Sequence, residues 1–178
     1  MKKTIILGIT ASIAAYKACE LISHLRKKGH EIICIMTKES GEFITPLTLE
    51  TLSGNKVYKD MFALPEKRGS IHVSLADKAD LIVICPATTN IIGKLASGVC
   101  DDLLTCTVFS SKKPILIAPA MHNNMYKHKI TQENISELKK TGCEFIDPIS
   151  GHLACGYVGM GHLAPISEIL KKIEKTLK

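Results

Sequence analysis

Five short apolar runs rich in Ile and Val recur along the chain, at residues 4–7, 31–36, 81–85, 115–118 and, more weakly, 144–146. Their length suits strands, and their continuous apolar character is what a strand buried on both faces requires. Helical patterns separate them. Residues 14–28 carry Ala15, Ala18, Cys19, Ile22 and Leu25 on one stripe and end at Lys27-Lys28-Gly29, the basic turn and glycine of a helix C-terminus. Residues 48–52, 91–96, 101–109, 131–140 and 167–177 read as further helices. This alternation predicts an α/β fold, a parallel sheet with helices on both faces and a ligand site at the carboxyl ends of its strands.

At 178 residues the chain suits one domain spanning 1–178. No run approaches the roughly 20 unbroken apolar residues of a membrane helix. The basic tip and apolar run of Lys2-Lys3-Thr4-Ile5-Ile6-Leu7 are too short for a signal peptide and read better as a strand entering a loop. The net charge of +6 comes from scattered lysines, many in the last helix, and with no Trp, four Tyr and four Phe the chain lacks stacking platforms for bases. Nucleic acid is therefore not an expected partner. The seven cysteines form no CxxC pair, which argues against a disulfide framework or structural zinc and for a reducing, cytoplasmic setting. Cys34 and Cys85 lie in apolar runs and read as small buried hydrophobes. His24, His30, His128 and His152 show no ligand spacing and read as solvated, so no metal is expected.

The loops after the strand ends hold the unusual residues. Gly8-Ile9-Thr10-Ala11-Ser12-Ile13 opens a helix with N–H groups and hydroxyls that suit a phosphate. It is neither a G-x-G-x-x-G nor a Walker loop, which counts against NAD and ATP, and an ordinary N-cap by Ser12 explains it almost as well. Pro86-Ala87-Thr88-Thr89-Asn90 offers hydroxyl and amide groups to a ring edge or phosphate, with Ala87 leaving room for a flat aromatic; a capped helix start at Thr88 or Thr89 fits equally. Pro119-Ala120-Met121-His122-Asn123-Asn124-Met125-Tyr126 is too polar for core and too apolar for a plain exposed loop. Glycines at 151, 156, 159 and 161 around Cys155 imply a mobile flap that closes over a substrate. His72, with Val73, Leu75 and Ala79, sits in a helical pattern where a histidine alone reads as an ordinary surface residue.

Taken together these segments resemble the homo-oligomeric flavin-containing cysteine decarboxylases over nearly the whole chain. The first loop through Ala14-Ala15-Tyr16-Lys17 is similar to the family's opening flavin loop, and Thr45-Pro46-Leu47-Thr48 with Leu52-Ser53-Gly54-Asn55 to the stretch after its second strand. His72 falls at the family's active-site histidine. Residues 86–90 resemble its PASANT motif, 119–125 its P-x-M-N-x-x-M motif, and Gly151-His152-Leu153-Ala154-Cys155-Gly156 its flap with a reactive cysteine. The resemblance implies a three-layer Rossmann-like or flavodoxin-like fold and FMN held by Gly8, Thr10, Ala11, Ser12, Thr37, Phe43, Pro86, Ala87, Thr88, Thr89, Asn90 and Ala120. It implies substrate contacts from Met121, His122, Asn123, Met125 and Ala154, with His72 as general base and Cys155 as proton donor. It also implies a homo-oligomer, a trimer or dodecamer, with FMN at a subunit interface.

The flap cysteine points to the branch that decarboxylates 4'-phosphopantothenoylcysteine to 4'-phosphopantetheine in coenzyme A biosynthesis, by oxidation of the thiol end, loss of CO2 and return of hydride and proton. The partner ligase of that pathway is then expected as a separate protein. A lantibiotic-type peptidyl-cysteine decarboxylase needs no such cysteine, and a flavin prenyltransferase typically carries Gly-Ala-Ser-Gly where this chain has Thr10-Ala11-Ser12-Ile13. Non-enzymatic flavin-binding relatives that inhibit a phosphatase tend to have acidic tails, whereas this chain ends on a basic helix. Two departures stand out. His122 replaces the asparagine that contacts substrate carboxylate in the family, which leaves open whether His122 takes the contact, Asn123 reaches in, or the substrate differs. His162 stands at the flap's usual basic position.

Overall fold

The computed structural model describes residues 2–62 and 70–178. Its helices are α1 (Lys17–Lys27), α2 (Pro46–Ser53), α3 (Ile71–Lys78), α4 (Thr89–Ala96), α5 (Leu103–Ser110), α6 (Asn123–Lys127), α7 (Lys129–Lys140) and α8 (Ile166–Thr176). Five strands, β1 (Thr4–Ile9), β2 (Glu31–Met36), β3 (Leu81–Ala87), β4 (Ile115–Pro119) and β5 (Glu144–Phe145), form a parallel sheet in the order β2-β1-β3-β4-β5. β6 (Ile149–His152) and β7 (Val158–His162) form a separate antiparallel hairpin.

The pleat sorts the apolar runs. Ile5, Leu7 and Ile9 of β1 and Leu81, Val83 and Cys85 of β3 face one core cluster with α1, α2 and α8; Ile6, Ile82 and Ile84 face the other, with α3, α4, α5 and α7. Each fully buried Ile or Leu contributes about 1.5–3 kcal/mol, which makes two-sided burial the main stabilising term. The chain runs from β1 outward to β2, then returns past β1 to β3. That reversal opens a crevice at the carboxyl ends of β1 and β3, where sheets of this order bind ligands.

Local signals explain where the elements depart from expectation. The helix expected at 14–28 begins as a tight 3-10 turn, Ile13–Tyr16, because the Ser12 hydroxyl accepts from Ala14 N at 3.3 Å and holds the first turn. The helix expected at 48–52 starts earlier, at Pro46, since Thr45 caps it and proline suits the first position. α6 is too short to show a period, and the β6–β7 hairpin, with three glycines among its nine strand residues, shows no apolar alternation.

Candidate active site

Four neighbouring loops are stitched together at the carboxyl edge of the sheet. Thr37 N donates to Ile9 O at 3.0 Å, joining the loops after β2 and β1. The buried Thr10 hydroxyl donates to Pro86 O at 2.8 Å and accepts from Thr88 N at 3.1 Å, bridging the β1–β3 crevice. Ala120 N then donates to Ala87 O at 3.0 Å, adding the loop after β4. Gly8, Thr10, Thr37, Pro86, Ala87 and Ala120 are buried framework; Ala11, Ser12, Thr88 and Thr89 are partly open, and Phe43 and Asn90 are exposed. Because both hydroxyl functions of Thr10 are already engaged, its contribution is to position the loops.

This donor set fits a flavin. Partly open Ser12, Thr88 and Thr89 with exposed Asn90 offer neutral hydroxyl and amide groups on both sides of the switch point, as a phosphate and a heteroaromatic ring edge require. Phe43, at the end of the turn after β2, adds an exposed aromatic face.

Beside the crevice lies a cavity of about 420 Å3. Ser12, Ala14, Ala120, Met121 and Leu163 line it from the sheet side, Tyr16 and Lys17 from the start of α1, and His152, Leu153, Ala154 and Cys155 from the hairpin. The hairpin is docked by Met121 N, which donates to Gly161 O at 3.0 Å. Gly161 has φ +127°, and a Cβ there would collide with the Met121 carbonyl, so the close approach requires glycine. Cys155 stands exposed at the tip, in a turn closed by Leu153 N to Tyr157 O at 2.8 Å.

Two imidazoles reach the cavity with defined tautomers. His122 Nδ1 accepts from Asn124 N at 3.2 Å, which places the proton of the neutral ring on Nε2. Its ring meets Tyr157 edge-on at 6.2 Å. His162 Nδ1 lies 2.9 Å from Leu163 O and, facing a carbonyl, carries its proton there. Burial pushes the Cys34 and Cys85 thiols up to about 12 and keeps them protonated.

The structure thus brings Ser12, Ala120, Met121, His122, Ala154 and Cys155 around one cavity. Asn123 instead binds the hairpin, its Oδ1 accepting from Met160 N. Met125 borders a separate open groove with Thr89 and Ile130. His72 is half-buried on α3, which packs on the opposite face of the sheet from α1, and it does not line the cavity within one chain. Lys17, Tyr16 and His152 line the cavity without having been singled out as site residues; Lys17 and Tyr16 directly follow the first loop, and His152 lies three residues before Cys155, so adjacency was the available signal. Among the described residues no three His, Cys, Asp or Glu side chains are grouped to hold a metal, and no helix is long and apolar enough to cross a membrane.

A family model described as Flavoprotein matches residues 1–178. The chain is 44% identical over 173 residues to the coenzyme A biosynthesis bifunctional protein CoaBC of Bacillus subtilis, covering 97% of this chain and 43% of that protein; it therefore spans less than half the length of this relative. It is 42% identical over 179 residues to the probable phosphopantothenoylcysteine decarboxylase of Streptococcus mutans, covering 99% and 100%. Among solved structures, a PPC decarboxylase cysteine-to-serine mutant complexed with pantothenoylaminoethenethiol superposes with TM-score 0.87 at 32% identity, covering 98% of each chain. The FMN binding protein AtHal3 superposes with TM-score 0.84 at 32% identity, covering 98% of this chain and 96% of that one.

Proposed function

We propose that this chain, which belongs to the Flavoprotein family, is an FMN-dependent enzyme that decarboxylates 4'-phosphopantothenoylcysteine to 4'-phosphopantetheine in coenzyme A biosynthesis. The observation that carries this reading is an exposed cysteine, Cys155, on a hairpin docked over a cavity that adjoins the β1–β3 crevice. The name of the Streptococcus relative supports the substrate, that of the Bacillus relative supports the pathway, and the bound molecule named with the PPC decarboxylase mutant supports an enethiol stage.

FMN would be held by Ser12, Thr88, Thr89 and Asn90 over the framework of Gly8, Thr10, Ala11, Thr37, Pro86, Ala87 and Ala120, with Phe43 at its edge. When bound, FMN supplies reversible two-electron chemistry at the thiol-bearing carbon of the substrate, which makes an otherwise unactivated carboxylate able to leave. His122 offers Nε2–H to that carboxylate, and Met121 and Ala154 form the apolar wall. Lys17 supplies positive charge for an anionic end of the substrate. The hairpin excludes water, and Cys155 donates the proton that completes the saturated product.

His72 takes a proton from the substrate, and the distance problem posed by its place on α3 is met by a second copy of the chain. Ile13, Tyr16, Tyr157 and Val158 around the cavity are 59%, 57%, 67% and 66% exposed, an apolar rim suited to contact with another subunit. The enzyme is accordingly a homo-oligomer, a trimer or a dodecamer built from trimers, whose site combines Cys155 of one copy with His72 of the next. The test is direct: purified protein denatured to release its cofactor should yield FMN by mass, and the holoenzyme should release CO2 from 4'-phosphopantothenoylcysteine. Absence of FMN together with absence of CO2 release overturns the reading.

A further inference from the structure

The start of α4 is set by the same threonine that bridges the β1–β3 crevice. Thr10 Oγ1 accepts from Thr88 N at 3.1 Å, which fixes the first turn of α4 and with it the place of Thr89. The Thr89 hydroxyl donates to Met121 Sδ at 2.9 Å, joining residues 32 positions apart. A thioether has no proton to give, so the bond has one direction. The Thr89 proton points at sulfur, and the remaining lone pairs of its oxygen can only accept.

Met121 is the residue on which such a bond has most effect. Its main chain is clamped on both sides, Ala120 N donating to Ala87 O at 3.0 Å and Met121 N donating to Gly161 O at 3.0 Å. The side chain beyond keeps the three rotatable bonds that make methionine adaptable. It lines the cavity beside Ala154 and Cys155 and also packs, partly buried, against the second core cluster. Thr89 borders the open groove with Asn124 and Met125. The Thr89–Met121 pair therefore stands between the cavity and that groove, and the rotamer of Met121 sets the width of the cavity at this wall.

We propose that Thr89 is a positioning residue, whose hydroxyl donates to Met121 Sδ and so holds the thioether as a fixed wall of the substrate space. The consequence for substrate binding rests on the decarboxylase reading; the fixing of Met121 does not.

The test is the ε-methyl signal of Met121 in the purified full chain labelled with 13C-methyl methionine, assigned through Met121→Leu. The carbon shift of this methyl reports whether the last side-chain torsion is held in one rotamer or averaged over several. In the parent chain it should be that of a single rotamer. Thr89→Val and Thr89→Ala, which remove the hydroxyl with and without keeping volume, should move it to the averaged value, and Thr89→Ser, which retains the donor, should not. Circular dichroism confirms that each variant is folded. With 4'-phosphopantothenoylcysteine, Thr89→Val should raise KM about fivefold with kcat little changed, as expected for one hydrogen bond that acts equally on ground and transition states. Thr89→Ser should keep the parent KM. In a Met121→Leu background Thr89→Val should raise KM no further, because its partner atom is already gone. An averaged Met121 methyl in the parent, an unmoved methyl in the folded Thr89→Val or Thr89→Ala chain, or the full KM effect of Thr89→Val on top of Met121→Leu overturns the proposal. The methyl signal needs no turnover, so failure of the decarboxylase reading and failure of this one are told apart.

Discussion

The side-chain Oδ1 of Asn123 accepts a hydrogen bond from the backbone N–H of Met160 at 3.0 Å, tying the loop after β4 to the second strand of the cysteine hairpin. Gly159 is part of the same contact, since a Cβ there would lie 2.9 Å from Asn123 atoms. The residue after the cavity-lining His122 thus holds the strand that returns from Cys155. Position 123 acts on the hairpin, while position 122 lines the cavity.

Asn123→Ala leaves Met160 N without its partner and loosens the hairpin. Losing one such bond costs about 1 kcal/mol. Steady-state kinetics should show kcat reduced about fivefold to tenfold with the flavin spectrum unchanged. Unaltered turnover would mean that the tie does not position Cys155.

Thr10→Val removes the hydroxyl that donates to Pro86 O and accepts from Thr88 N, while keeping side-chain volume. Two buried groups lose a partner, so urea denaturation should show destabilisation of about 1–3 kcal/mol and weaker flavin retention. Thr10→Ser, which keeps the hydroxyl, should stay close to wild type in both.

Asp102 is both the N-cap of α5 and a partner of Lys94. Burial pushes its carboxyl up, but the Thr105 N–H and the Lys94 ammonium outweigh burial and hold it below the ordinary carboxylate value. The unfolded chain therefore takes up the proton first, so stability from this group is complete above the unfolded value of about 4 and is lost as pH falls through the lower folded value. Asp102→Asn keeps a good cap and removes the charge. The stability gap between wild type and Asp102→Asn, measured by denaturant unfolding, should be widest near neutral pH and shrink on acidification; a gap that grows towards low pH contradicts this assignment.

His72→Asn should reduce decarboxylation on the order of a hundredfold or more with FMN still bound. The shared-site reading adds a sharper outcome. Oligomers refolded from a mixture of His72→Asn and Cys155→Ser chains contain some sites with both native residues and should form saturated product, which neither variant forms efficiently alone. Failure of the mixture to do so places both residues in one chain's site.

The sheet was legible because strands buried on both faces carry their own apolar record, and the loops that meet at its carboxyl edge because small and hydroxyl residues cluster where those strands end. The separation of His72 from Cys155 was not. A helical pattern shows that α3 has an apolar side, but the face of the sheet it covers depends on the chain crossing from β2 to β3. The glycines around Cys155 pointed to a flap, but its two strands escaped detection because β6 and β7 are glycine-rich and show no apolar alternation. Nor could spacing reveal the Thr89–Met121 contact, which joins residues 32 positions apart.

The most direct measurement is the product mass formed from 4'-phosphopantothenoylcysteine by wild type and by Cys155→Ser under anaerobic conditions. If Cys155 supplies the final proton, wild type yields 4'-phosphopantetheine, whereas Cys155→Ser, with an alcohol in place of a far stronger acid, still loses CO2 but accumulates the enethiol lacking two hydrogens. Wild type that itself stops at the enethiol, or Cys155→Ser that forms 4'-phosphopantetheine at the wild-type rate, would contradict the central claim.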